Sequence, residues 1–291
     1  MQKYAVVTDS SSDIPKKYID KLNIKVVPLY IHYKNNEFRD GIDIDSSQIY
    51  KLQKEEKAIF TTSAPSPHDF LNLYNELLKE HEKVISIHIS SKLSAVIKAA
   101  NIARDFLEER DRVDIYDSFL GSMGTGFLAI ATSKAISRGY DIDRIRYCMD
   151  YLKANMRLFG TIDTLEYLKR SGRAPEFGNI VTALTRIKPI LGIKDGSVRM
   201  IDISVTRKRS LNEITKRALR EFSEEKWVLV SIIHSLSLSE SKQIMRKLQQ
   251  KLNMVESIIT ECTPVVGAHT GPGLVGIIIS KLDYELARLF I

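Results

Sequence analysis

Short apolar runs alternate in the first half of the chain with segments whose apolar residues recur every three or four positions. Val84–His88 is one such run, and the helical spacing follows from Leu93 onward, so a strand turns into a helix through Ile89–Lys92. The same rhythm predicts strands at residues 4–8, 24–33 and 113–116, with helices at 46–55, 69–79, 127–138 and 141–155. Strands that alternate with helices in this way favour a mostly parallel sheet covered on both faces.

The pattern changes from Met156 onward. Ile190–Lys194 and Val198–Val205, joined across Asp195-Gly196, have the alternation of a β-hairpin, which makes the second sheet mixed. Further strands are predicted at residues 227–234, 254–260 and 275–280, and helices at 164–170, 177–185, 210–225 and 239–251. Since single cores tend to divide near 291 residues, we predict two α/β domains. Residues 1–155 would form a three-layer, mostly parallel sheet domain, and residues 156–291 a domain with a mixed sheet.

Four of the predicted strand-to-helix turns are rich in hydroxyl groups, at residues 9–15, 60–70, 89–92 and 117–126. Parallel sheets bind ligands at the carboxyl ends of their strands, where such turns gather, and the first turn of a helix can hold a small anion. Ser94 is the first candidate for this contact. Thr62 and Ser63 precede two prolines and are therefore expected on an extended segment with free side chains. The alternative is that these hydroxyls only cap helices.

Residues 267–276 contain four glycines, which predicts a loop that approaches a ligand closely through its backbone. Small residues flank His269 in this loop, so a functional and a structural role are equally plausible for it. The chain has neither a GxxxxGK[ST] loop nor a GxGxxG run after a strand. The sequence therefore gives no sign of a nucleotide site.

Composition excludes several other classes of protein. The net charge is +7, but the 43 basic and 36 acidic residues are interspersed, which argues against a nucleic-acid-binding protein. Cys148 and Cys262 belong to no CxxC or Cys/His cluster, so neither a metal site nor a disulfide framework is expected. No apolar run has the length of a signal peptide core or a membrane span. We expect a cytoplasmic protein with no integral membrane segment.

Two further features have competing interpretations. A free-standing acyl hydrolase or transferase would need a Ser/His pair, yet the nearest imitation of a GxSxG elbow, Gly121–Gly124, has the wrong spacing. The basic turn Lys169–Arg173, together with Arg207, is either a solvated charged face or a docking surface for an acidic partner.

Eight motifs in order resemble the DegV family of bacterial fatty-acid-binding proteins, which includes the binding subunits of fatty acid kinase. The motifs run along essentially the whole chain: VTDSSSDIP from Val7, VVPL from Val26, TSAPSP from Thr62, ISSKLS from Ile89, DSFLGSMGTG from Asp117, DTLEYLKRSGRA from Asp163, IKPIL from Ile187 and HTGPGLVG from His269. The resemblance implies a two-domain protein that encloses one long-chain fatty acid and needs no other cofactor. It also implies a carrier without its own catalytic centre, which presents the carboxylate to a separate kinase subunit.

The resemblance assigns residues to these roles. Thr62 and Ser94 would hydrogen-bond the carboxylate, His269 would stand close by, and Ser63 and Ala95 would complete the binding residues. The wider surroundings of the ligand would include Ser10, Ser118, Gly271 and Gly273. Charge clustering, and not the resemblance, suggests that the kinase would dock on Arg170, Arg173 and Arg207. The chain departs from the family pattern where Ala95-Val96-Ile97-Lys98 replaces Gly-Thr-Tyr-Gln and where Ala64 replaces glutamine, so polar contacts near the head group are fewer.

Overall fold

The computed structural model describes residues 3–172 and 187–291. Its strands are β1 (Tyr4–Asp9), β2 (Lys25–Val27), β3 (Tyr30–Tyr33), β4 (Asn36–Arg39), β5 (Thr61–Ser63), β6 (Lys83–His88), β7 (Val113–Asp117), β8 (Met156–Thr161), β9 (Lys188–Lys194), β10 (Ser197–Ser204), β11 (Val228–His234), β12 (Met254–Glu261) and β13 (Val275–Lys281). Its α-helices are α1 (Lys16–Leu22), α2 (Ser46–Glu55), α3 (Pro67–Leu77), α4 (Val96–Asp105), α5 (Met123–Ser137), α6 (Ile142–Asn155), α7 (Glu166–Arg170), α8 (Arg207–Phe222), α9 (Leu238–Gln249), α10 (Pro264–Thr270) and α11 (Tyr284–Phe290).

The first half is built on a parallel sheet of strand order β2-β1-β6-β7. Successive residues of β1 and β6 face opposite sides, so that Val6 and Ile85 pack with α5 while Val7 and Val84 pack with α3 and α4. Both faces are therefore buried beneath helices, as the continuous apolar runs predict. The three-layer arrangement expected from the sequence is confirmed.

The second half is built on a six-stranded mixed sheet of order β10-β9-β8-β13-β11-β12. Among its described strands, the β11–β12 pair is parallel, whereas the hairpin β9–β10 and the β8–β9, β8–β13 and β11–β13 pairs are antiparallel. One face packs on α8 and α9, while the other contributes Ile233 and Ile278 to a core shared with α5 of the first half. The two halves thus share a continuous core. The boundary between Asn155 and Met156 stays a prediction.

A small antiparallel sheet of order β4-β3-β5 lies beside the parallel one. It explains the extended segment that the two prolines predict, because β5 ends at Ser63, just before Pro65. The sequence pattern suggests that the hydroxyl-rich turn at residues 60–70 follows a strand of the parallel sheet. In the structure it does not, because β5 belongs to the small antiparallel sheet. Instead, the small antiparallel sheet brings this turn to the region where the other three hydroxyl-rich turns lie.

Two local predictions were wrong. The helix after β6 begins at Val96, because the amides of Leu93 and Ser94 turn back to the Ser90 carbonyl at 2.9 and 3.1 Å. Ser94 thus precedes the helix and caps nothing. The glycine-rich segment is also not a loop throughout, since residues 264–270 form α10, started by Pro264 in its first turn. The helix predicted at 177–185 lies outside the described residues, as does Arg173.

Candidate functional site

A cavity lies between the carboxyl ends of the parallel strands and the mixed sheet. It contains about 960 Å³ of space free of protein atoms, a volume that includes its opening to solvent. Most of its wall is apolar, supplied by Leu29, Ile89, Leu93, Gly121, Leu158, Gly160, Leu168, Leu191, Gly192, Ile193, Val198, Ile233, Val265, Val266, Leu274 and Gly276. Such a wall suits a hydrocarbon chain.

Among the residues that the structure describes, the polar lining comes from the first half and from α10. Ser11, Ser94 and Ser122 follow β1, β6 and β7, three neighbouring strands of the parallel sheet, whereas Thr62 lies on β5. His269 and Thr270 come from α10. The mixed sheet adds no polar side chain, so the cavity is polar on one side and apolar on the other. An elongated ligand with one polar end fits this division.

Thr62 and His269 meet inside the cavity. Thr62 Oγ1 lies 2.8 Å from His269 Nε2, and both side chains are half-buried. Because side chains alternate along a strand, the next residue, Ser63, points the other way and hydrogen-bonds His32 Nε2 at 2.9 Å on the exposed side. Of the two hydroxyls predicted here, only that of Thr62 lines the cavity.

Ser94 also lines the cavity and is half-buried. Its Oγ makes no hydrogen bond to any side chain or backbone group within residues 3–172 and 187–291, so the hydroxyl can turn toward a ligand. The neighbouring Ala95 is exposed and lies outside the cavity wall. It forms part of a shallow surface depression with Ser94 and Lys98.

Ser11 is held in place by Asp9. One carboxylate oxygen of Asp9 accepts hydrogen bonds from the Ser11 amide and hydroxyl, while the other accepts one from the Ile89 amide at 3.0 Å and lies 3.0 Å from His88 Nδ1. His88 Nε2 in turn lies 2.7 Å from Ser86 Oγ. This Asp–His–Ser chain resembles a hydrolytic triad in its distances, but all three side chains are fully buried and none lines the cavity. Its role is to fix two wall segments.

Helix α10 is held by two buried carboxyl groups. Asp13 accepts hydrogen bonds from the amide of Thr263 at 2.7 Å and from its hydroxyl at 2.9 Å, and Asp40 accepts one from the Val265 amide at 2.9 Å. Burial raises the pKa of Asp13 to about 6 and that of Asp40 to about 7, the latter with a smaller contribution from the other buried carboxyl groups. The pair therefore titrates near neutral pH while it positions the helix that carries His269.

Asp13 also reaches the cavity wall through Ser122. The Ser122 hydroxyl donates a hydrogen bond to Asp13, and its backbone has a φ of 53°, an uncommon value for a residue with a side chain. Ser122 and α10 thus share one carboxyl group as their anchor. This coupling joins the turn after β7 to the C-terminal half.

Several residues predicted from the sequence lie behind the wall. Ser10 accepts a hydrogen bond from the Leu29 amide, and Ser118 bonds the Leu120 amide and the Thr125 hydroxyl. Gly271 and Gly273 have φ values of 70° and 91°, and the Gly273 amide donates to the Ser235 carbonyl. All four residues shape the wall from behind without lining it.

Sequence reasoning missed the polar residues Ser11, Ser122 and Thr270. Ser11 and Ser122 lie one and four residues from predicted positions, in turns that the hydroxyl content identified correctly. Which serine of a turn faces the cavity depends on the backbone path: Ser10–Ser12 forms a 3₁₀ turn, and Ser122 has a left-handed φ. Neither conformation has a signal in hydrophobic periodicity.

The predicted basic docking residues have different surroundings. Arg170 is exposed and pairs with Glu166 at 2.9 Å. Arg207 pairs with Glu240 and donates to the Gly273 carbonyl, so it supports the segment after α10. Lys188 pairs with Asp163 at 2.8 Å. Of Arg170 and Arg207, Arg170 is thus the more exposed.

Within residues 3–172 and 187–291, no His, Cys, Asp and Glu side chains come together in a group able to ligate a metal ion. The helices of that part of the chain are also too short or too polar to cross a bilayer.

Comparison with known proteins gives consistent matches over nearly the full length. A family model described as "Uncharacterised protein, DegV family" matches residues 3–282. A DegV domain-containing protein of Caldanaerobacter subterraneus is 32% identical over 280 residues, covering 95% of this chain and 98% of the relative.

Solved structures match equally well. A DegV family protein from Thermus thermophilus, reported for its fatty acid binding, superimposes with a TM-score of 0.90 at 29% identity, covering 96% of this chain and 100% of the other. DegV of Bacillus subtilis, described as a fatty acid binding protein, has a TM-score of 0.86 at 27% identity, with 97% and 100% covered.

Proposed function

This chain belongs to the DegV family, and from that membership we propose that it binds one long-chain fatty acid in the cavity between its two sheets. The observation that carries the proposal is the division of the cavity wall, which places Thr62, Ser94 and His269 on one side and only apolar residues of the mixed sheet on the other. Relatives with the same fold are described as fatty acid binding proteins.

The apolar wall accounts for affinity. Burying roughly 14 methylenes at about 0.8 kcal/mol each gives a gross gain near 11 kcal/mol, against association and ordering costs of at least about 4 kcal/mol. The alkyl chain therefore supplies most of the binding free energy. This term alone does not distinguish a fatty acid from an alcohol or ester with the same chain.

The polar side accounts for the choice of head group. We propose that the carboxylate accepts hydrogen bonds from Thr62 Oγ1 and Ser94 Oγ, with His269 beside Thr62. A hydrogen bond to a charged group is typically worth about 1.5 to 3 kcal/mol. An ester or an alcohol carries no negative charge, so it would accept weaker hydrogen bonds from the same groups. The head contacts therefore set both the ligand class and the direction in which the chain enters.

Mass spectrometry of an organic extract of the purified protein tests the proposal. We expect one long-chain fatty acid per chain, and after removal of lipid, titration with hexadecanoate should restore binding. Methyl hexadecanoate should bind at least tenfold more weakly, because it lacks the charge that Thr62 and Ser94 recognise. An extract free of fatty acid together with no binding of added hexadecanoate would reject the function.

We also propose that the bound carboxylate is presented to a separate kinase subunit, which phosphorylates it to an acyl phosphate. Cys148 and Cys262 are free thiols, as is common in proteins of a reducing compartment, and we propose a cytoplasmic location. The chain itself would be a carrier without a catalytic centre. The exposed positive charge at Arg170 supports this view.

Charge reversal at Arg170 tests the docking surface. Arg170→Glu should slow acyl phosphate formation by the kinase several-fold while fatty acid affinity stays unchanged, because Arg170 is exposed and lies outside the cavity wall. Arg110→Glu, a change of the same charge at an exposed residue on a different element, serves as the control. Equal rates for the two variants would remove the docking surface but leave fatty acid binding intact.

The alternative of an acyl hydrolase makes a different prediction. A free-standing hydrolase should turn over p-nitrophenyl esters without any partner. The hydroxyl that contacts His269 belongs to a threonine in the middle of a strand rather than to a serine on a tight turn, and we expect no turnover above background.

A further inference from the structure

One row of residues crosses the mixed sheet beneath the cavity. Leu191 of β9 lies opposite Gly160 of β8, Gly160 lies opposite Gly276 of β13, and Gly276 lies opposite Ile233 of β11. All four residues line the cavity. The two central residues of the row have no side chain, and they lie between the large side chains of Leu191 and Ile233.

The two glycines differ in what a side chain would meet. A Cβ at Gly160 would have its nearest neighbour, a methyl group of Leu158, at 3.6 Å, which is an ordinary contact distance. A Cβ at Gly276 would come within 2.9 Å of Ile233. Neither glycine has a left-handed φ. The sheet therefore requires glycine at position 276 for packing, whereas nothing in the packing around position 160 requires it.

The packing of the fold therefore does not require glycine at position 160, and the missing side chain leaves space open to the cavity. We propose that Gly160 is a specificity-determining position, and that the missing side chain makes room for the distal part of a long acyl chain. This inference rests on the proposed fatty acid function. It follows from the placement of Gly160 on the apolar sheet, since the polar lining residues all lie on the first half and α10.

Substitution at Gly160 tests the inference by chain length. Valine adds three carbon atoms to the cavity, and displacing about three methylenes, each worth roughly fourfold in affinity, should weaken hexadecanoate binding about 50-fold. Decanoate, whose chain ends earlier, should change by less than about threefold. Gly160→Ala should give an intermediate effect of about fourfold on hexadecanoate.

Thr161→Val is the matched control, because Thr161 is the next residue of β8, faces the α8 side of the sheet and is nearly the same size as valine. It should leave both affinities unchanged. Thermal unfolding of each variant checks the fold, and because strands favour valine over glycine we expect Gly160→Val to unfold no earlier than the parent. If valine nevertheless disrupts the fold, Gly160→Ala carries the test.

The outcomes separate this inference from the function itself. If the parent protein binds no fatty acid, the proposed function fails. If the parent binds and Gly160→Val loses hexadecanoate and decanoate equally, or loses neither, the function stands and the role of Gly160 is refuted.

Discussion

Thr62 and His269 are 207 residues apart in the chain, yet their side chains meet at 2.8 Å in the cavity. A hydroxyl and an imidazole that already share a hydrogen bond are oriented before a ligand arrives, so less rotational freedom is lost on binding. Ser94 adds a second hydroxyl. The proposed carboxylate site therefore depends on three side chains from three different elements.

Removing the two hydroxyls should weaken fatty acid binding strongly. We expect Thr62→Val with Ser94→Ala to lower hexadecanoate affinity at least 100-fold, since each lost charge-assisted hydrogen bond costs about 1.5 to 3 kcal/mol. Ser63→Ala is the control, because Ser63 is adjacent in sequence but bonds His32 on the exposed face. Isothermal titration of the three proteins gives the affinities. Unchanged affinity in the double variant would rule out the carboxylate anchor.

The buried carboxyl groups predict how stability depends on pH. Burial raises the pKa of Asp13 to about 6, so the folded chain retains a proton that the unfolded chain releases near pH 4. The free energy of unfolding therefore falls as pH rises through this window. Relative to the parent, Asp13→Asn should gain about 3 kcal/mol between pH 4 and pH 8. Asparagine tolerates the left-handed backbone of this position, where φ is 53°.

Denaturant unfolding at several pH values measures this difference. Asp43→Asn provides a comparison in which the stability difference from the parent should change with pH in the opposite direction. The reason is that the Arg39 guanidinium lowers the pKa of the exposed Asp43 to about 2. That variant should lose stability relative to the parent as pH rises from 2 to 5. A difference between Asp13→Asn and the parent that does not change with pH would show that folding does not raise the pKa of Asp13.

At the scale of elements, α10 connects the site to the rest of the molecule. Asp13 and Asp40 hold its first turn, and Gln53 of α2 donates to the carbonyls of Gly267 and Ala268 at its other end. Four of its seven residues, Val265, Val266, His269 and Thr270, line the cavity. A helix this short has little intrinsic stability, so these contacts fix its position.

Gly267 lets α10 approach α2. A Cβ at this position would lie 2.7 Å from the Tyr50 hydroxyl, which itself bonds Ser235 at 2.9 Å. We expect Gly267→Ala to destabilise the protein by about 1 to 3 kcal/mol and to weaken hexadecanoate binding, because α10 must shift. Adding Tyr50→Phe should not restore the stability, because the ring atom Cε1 of Tyr50 would still lie 2.8 Å from the new Cβ. Thermal unfolding that is unchanged in Gly267→Ala would contradict this packing.

The elements show where sequence reasoning succeeds. The hairpin β9–β10 and the helices α5, α6, α8 and α9 follow from local periodicity and turn residues, which a sequence displays directly. Helix α10 was not predicted, because four glycines and a proline within residues 267–276 usually mark a loop. Only the packing of Gly267 against Tyr50 explains why a glycine stands inside that helix.

The whole molecule encloses the cavity between two sheets that share one core. The DegV resemblance and the alternation of strands and helices predicted this architecture, and the four hydroxyl-rich turns do converge on the cavity. The apolar wall was not predictable from the pattern alone. Strands that line a cavity, such as those of Leu158 and Ile233, have the same apolar residues at the same spacing as strands that face a filled core. Distinguishing the two requires the positions of both sheets.

A ligand that bridges the two halves should stabilise the whole fold. At a hexadecanoate concentration about 100-fold above the dissociation constant, linkage predicts a gain of about 2.7 kcal/mol in the free energy of unfolding. Differential scanning calorimetry of delipidated protein should show a single transition that moves to higher temperature with added hexadecanoate. Hexadecane, which has no head group, should move it much less. A shift of equal size with both compounds would indicate that the polar side of the cavity contributes nothing.

A crystal structure of the protein with bound hexadecanoate tests the central claim most directly. The account predicts a carboxylate within about 3.2 Å of Thr62 Oγ1 and Ser94 Oγ, with the alkyl chain running across the mixed sheet over Gly160. A fatty acid bound outside this cavity, or one inside it with the carboxylate against the mixed sheet, would contradict the account.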